Sequence, residues 1–126
     1  MSATSASAGV PVPRDVTLLC RQPVEPREVA EALLLHDDAW GVRALDDGPM
    51  VQVCRDADHP VITVLSVRRV DSFDEVERIL PDAPTIPTPL WWVDTVTPNG
   101  PDGESGISAA LEAAIDLDAV CIVHGD

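Results

Sequence analysis

The sequence predicts an α+β domain of mixed α/β character, with elements in the order β-α-β-β-β-α-β-α-β. Three observations carry this. Residues 61–70 are apolar at most positions on both faces, as expected of a central strand. Pro81, Pro84, Pro87 and Pro89 lead, extended and non-helical, into Leu90-Trp91-Trp92-Val93-Asp94-Thr95-Val96, which Pro98 stops. Ile107, Ala110, Leu111, Ala114 and Ile115 recur at helical spacing. The expected result is a mixed sheet containing an antiparallel meander, with helices packed on it and the strand order left open. At 126 residues the chain forms one domain with a real core and is too short for two.

Residues 1–13 begin with a Ser/Ala/Thr-rich run without a charged or apolar leader pattern, so a flexible tail is expected, followed by a single domain over 14–126. Asp15-Val16-Thr17-Leu18-Leu19-Cys20 reads as a short buried strand. Pro26 suits a first helical turn, with Glu28 and Glu31 near its positive end and Val29, Ala32, Leu33 and His36 on one face. Residues 39–45 form the second strand, Asp46-Asp47-Gly48 a tight hairpin, and residues 50–54 the third strand. A turn over residues 56–60 then leads to the long fourth strand. Ser72 and Glu75 fit a capping box ahead of a short helix whose inner stripe is Phe73, Val76, Ile79 and Leu80. After the tryptophan strand, residues 99–106 satisfy every turn rule, which places the start of the last helix near Ser105. Residues 119–123 close the domain as a strand.

The two tryptophans are informative about coverage. Successive strand side chains point to opposite faces, so Trp91 and Trp92 cannot share one. Each can remove about 150–250 Å² from water. Both faces of the sheet therefore need a cover at this strand.

The net charge is −14, from 22 acidic residues against 8 basic ones, every one of them arginine. That balance opposes nucleic-acid and anionic-membrane binding, since phosphates are repelled. It suits a protein partner with a basic surface, such as a toxin, a nuclease or a secreted substrate. A biased coding composition or a salt-adapted proteome produces the same balance. No apolar run approaches the roughly 20 residues of a membrane helix, and the cytoplasm is the expected compartment.

Chemical motifs are weak. Gly100, Gly103 and Gly106 precede a helix, but Asp102 and Glu104 within the loop repel phosphate and no lysine is present. Ser105 lacks the second glycine of a nucleophile elbow. Cys121 and His124 fall on opposite strand faces, and Cys20 and Cys54 lie among aliphatic residues. No cofactor, metal centre or catalytic residue is expected. The candidate partner contacts are Trp40, Trp91 and Trp92, with the acidic turns Asp37-Asp38 and Asp46-Asp47. The alternatives are a small metal- or ligand-dependent enzyme using the turn of Asp56, Asp58 and His59, and a structural homodimer.

Residues 15–95 carry a series: the Asp15-Val16-Thr17-Leu18-Leu19 start, the hairpin from Gly48 to Asp56, His59-Pro60-Val61-Ile62-Thr63-Val64, and Val76 to Leu80 ahead of Leu90-Trp91-Trp92-Val93. This series resembles an uncharacterised actinobacterial domain family of unknown function, sometimes met near type VII secretion genes. The resemblance implies an accessory or interaction role and transfers no catalytic residue. The reading is a non-enzymatic, acidic protein-interaction domain, accessory or immunity-like.

Overall fold

β5 (Leu90–Thr97), the tryptophan strand, lies inside a six-stranded sheet with β4 (His59–Val70) on one side and β1 (Arg14–Cys20) on the other. The full order is β2-β3-β4-β5-β1-β6, where β2 is Gly41–Ala44, β3 is Val51–Asp56 and β6 is Ala119–Val123. The computed structural model describes residues 13–45 and 50–124. The α+β class, the single domain and the element order are those read from the sequence.

Every pairing is antiparallel, where a mixture was expected. Two features explain the difference: β1 lies between β5 and β6, which run parallel without pairing, and β4 is joined to β5 by a connection through α2 (Phe73–Ile79) that does not cross over. That connection returns the chain to the end of the sheet it left, so Val70 pairs with Leu90. A parallel crossover would have to carry the chain back to the opposite end. The β2-β3-β4 meander forms as expected, with a register shift at Cys54.

α1 (Pro26–Leu34) and α3 (Gly100–Asp116) cover one face. Beneath them lie Val16, Leu18, Val53, Ile62, Val64 and Val93. The opposite face holds a smaller cluster of Leu19, Val70, Val76, Ile86, Leu90 and Trp92, roofed by α2 and the proline-rich segment behind it. Both faces are covered at the two tryptophans of β5, as their adjacency required.

α3 departs most from expectation. It begins at Gly100, not near Ser105, and so takes in most of the expected loop. Pro101 is compatible with a first helical turn. Gly103 and Gly106 face the sheet, where an added Cβ would collide with the carbonyls of Pro98 and Val61 respectively. Gly106 lets the helix lie directly against the backbone of β4, and Gly103 against the residue that follows β5, a use that turn rules cannot distinguish from a bend. The buried stripe is small, comprising Gly103, Gly106, Ala109, Ala110, Ala113 and Ala114. Leu111 and Ile115, expected inside, are 49% and 81% exposed.

Two smaller corrections concern α2. Ser72 Oγ accepts from the Asp74 amide, but Glu75 turns to Arg68 instead of closing a capping box. Ile79 belongs to the surface, while Val76 and Leu80 form the inner stripe.

Candidate functional site

The outer surface of the helical layer combines exposed apolar side chains with an excess of acid. α3 carries Asp102, Glu104, Glu112 and Asp116 and no basic residue. Its exposed Leu111 and Ile115 flank Glu112 along the helix. Just past the end of α1, His36 Nδ1 stands 3.0 Å from Glu112 Oε1, without the alignment of a hydrogen bond. Leu35, beside His36 at the end of α1, is 71% exposed.

Trp40 joins this corner. Its ring lies 5.0 Å from that of His36, tilted by 38°, and it is half-buried against the larger core. Asp37 and Asp38 are exposed immediately before it. Asp37 Oδ1 accepts from the Ala39 amide at 2.8 Å, which fixes the turn that presents Trp40. The structure therefore brings together three of the expected contacts, Asp37, Asp38 and Trp40. It adds Leu35, Leu111 and Ile115, although helical spacing alone predicts the last two inside.

The other expected residues lie elsewhere. Trp91 is half-buried at the rim of the larger core, with the Arg69 guanidinium 5.9 Å from its ring. Trp92 is only 4% exposed and offers no surface to a partner. Its Nε1 donates to Asp94 Oδ1 at 2.7 Å, and Arg68 covers the ring at 4.8 Å. This corrects its place among the contacts. Its ring is needed to fill the smaller cluster. Asp46 and Asp47 lie outside the described residues.

The turn of Asp56, Asp58 and His59 is internally satisfied. Asp56 Oδ1 lies 2.7 Å from His59 Nδ1 and accepts from the Asp58 amide at 2.9 Å. Arg55 bridges from this turn to Asp102, at 2.8 Å and 3.2 Å. The His59 contact holds the Asp56 carboxyl below its ordinary range, and the Arg55 hydrogen bonds do the same for Asp102. These carboxylates serve each other's neighbours, and among the described residues no cluster of three or more His, Cys, Asp or Glu could hold a metal ion.

One polar cleft has no contiguous signature in the sequence. The half of the second face that α2 leaves bare is lined by Asp15, Thr17, Ser66, Asp94 and His124, around a cavity of about 360 Å³. Thr17 sits directly opposite Asp94 in the sheet, and Thr17 Oγ1 meets His124 Nε2 at 2.9 Å. A polar residue at every second position of Asp15-Val16-Thr17 was its local signal. The cleft itself requires three strands and the residue following β6 to meet. Its acceptor-rich lining suits a group that donates hydrogen bonds.

No helix among the described residues is long and apolar enough to cross a membrane. No family model, no curated protein and no solved structure matches this chain.

Proposed function

We propose that this chain is a non-enzymatic protein-interaction domain which binds a partner with a basic surface, as an accessory or immunity-like protein of the cytoplasm. One observation carries the reading. Leu111 and Ile115 are exposed on a helix that carries four carboxylates and no basic residue of its own, Asp102 alone being paired with Arg55 among the described residues. Exposed apolar groups rimmed by charge mark binding surfaces, and a rim of one sign selects a partner of the other. The neighbouring Trp40 supplies an aromatic anchor of the kind enriched at binding hot spots. The resemblance of residues 15–95 to an actinobacterial family near secretion genes favours the same class of role.

The test is capture of a partner from native lysate at low and high salt, with wild type beside Ile115→Arg and Trp40→Ala. One basic partner, released by salt and lost with a variant that keeps its circular dichroism, supports the proposal. Salt-indifferent capture removes the electrostatic mechanism. Capture unaffected by both variants removes this surface.

A further inference from the structure

The two edges of the sheet are not alike. β2 is four residues long and contains Arg43, which reaches back to Gln52 and to the Ala57 carbonyl. Shortness and charge are the usual protections of an edge. β6 has neither. Its five residues, Ala119 to Val123, are all apolar and half-buried, and among the described residues it pairs with β1 alone.

The direction of its free backbone groups follows from the register. The His124 amide donates to the Asp15 carbonyl, so positions 124, 122 and 120 turn their backbone groups toward β1. By alternation, Ala119, Cys121 and Val123 turn theirs outward. These positions are symmetric about Cys121. An antiparallel copy of the same strand, centred there, sets Ala119 against the partner's Val123 and Cys121 against the partner's Cys121. Each of these is a hydrogen-bonded pair, about six new backbone bonds in all. The inward-turned positions match too, since Val120 faces the partner's Ile122.

The surroundings also fit a second copy. A groove of about 410 Å³ runs along β6, between Val120 and Ile122 on one side and Leu80, Pro81, Ala83 and Pro84 on the other. Ile79, 48% exposed, stands at the same groove. In the paired arrangement the partner's Ile122 rises on this face, beside apolar groups that now meet water.

We infer that β6 is the seam of a symmetric homodimer, in which two copies join edge to edge through residues 119–123 into one continuous antiparallel sheet. This seam is separate from the acidic helical surface, and the two respond oppositely to salt. Two chains of net charge −14 repel, so screening strengthens the dimer, whereas it weakens capture of a basic partner.

The test is sedimentation of the full chain across a wide concentration range at low and high salt. Cys121→Pro runs alongside, because it removes an outward amide while leaving the bonds to β1 intact. The expected result is a wild-type dimer that tightens with salt, and a folded Cys121→Pro variant whose self-association is weaker by about tenfold or more. Amide exchange of the wild type, followed by NMR, gives a second measurement that does not depend on the variant folding. Ala119, Cys121 and Val123 should be as slow as Val120 and Ile122 in concentrated solution, and fast on dilution. A chain that stays monomeric at every concentration overturns the inference. So does a dimer in which those three amides exchange freely.

Discussion

The two faces of the sheet are closed by different means. The face under α1 and α3 is sealed by backbone proximity, with glycine and alanine letting a helix settle onto β4. The face under α2 is sealed by one large ring, Trp92, held between Arg68 and Asp94 and roofed by a short helix and a proline-rich segment. A face closed by many small contacts extends across most strands. One closed by a single bulky group covers only its neighbourhood, and the polar cleft at Thr17 and His124 lies bare beside it. Coverage thus follows from how the apolar volume is distributed as well as from its amount.

Substitutions can break this comparison, and the largest effect is expected on the ring. Trp92→Ala should destabilise the domain by about 3–5 kcal/mol, read from the urea midpoint, since nothing on that face can collapse into the space. Gly106→Ala should cost about 3 kcal/mol, because the new Cβ meets a backbone carbonyl and α3 must lift from β4. If Gly106→Ala is neutral, the helical face is looser than the geometry implies. Trp91→Ala should cost clearly less than Trp92→Ala, about 1–2 kcal/mol, because the ring is half-exposed at a rim. Equal losses at the two positions would erase the distinction between the faces.

The smallest expected effect is acid sensitivity at the exposed Asp56 and Asp102. Their carboxyls are held below the ordinary range in the folded chain, so their stabilisation is complete above the unfolded-state value of about 4. It disappears as pH falls through the lower folded-state values. Asp102→Asn should therefore lower stability slightly at neutral pH and leave it nearly unchanged in strong acid, which flattens the profile between the two. A variant profile parallel to wild type would remove the Arg55 contact as its cause.

Local pattern was enough to locate every strand, because alternation and proline punctuation act over a few residues. It also required the opposite placement of Trp91 and Trp92. It failed at residues 99–106, where glycines that serve close packing look the same as glycines that serve a turn. It failed again at Leu111 and Ile115, since the larger side chains were assigned to the core by size, while proximity to β4 admits only small ones. Of the candidate surface, Trp40 and the Asp37-Asp38 turn were legible, being contiguous in sequence. Their meeting with Glu112, Leu111 and Ile115 depends on the packing of α1 against α3. The cleft of Thr17, Ser66, Asp94 and His124 was hidden for the same reason, as it draws on β1, β4 and β5 and on the residue following β6.

The position of β1 has a consequence for synthesis. Its fully buried residues, Val16, Leu18, Leu19 and Cys20, find partners only in β5 and β6, the last two strands to be translated. At about 5–20 residues per second, a ribosome takes roughly 4–15 s to move from the end of β1 to the end of β5. Throughout that interval an apolar strand with both edges unpaired is held outside any sheet. The meander β2-β3-β4, which closes through neighbouring hairpins, can assemble meanwhile. The nascent chain therefore passes through a stage in which half its sheet is built and its first strand is still unpaired, and molecular chaperones would find their binding site at that strand.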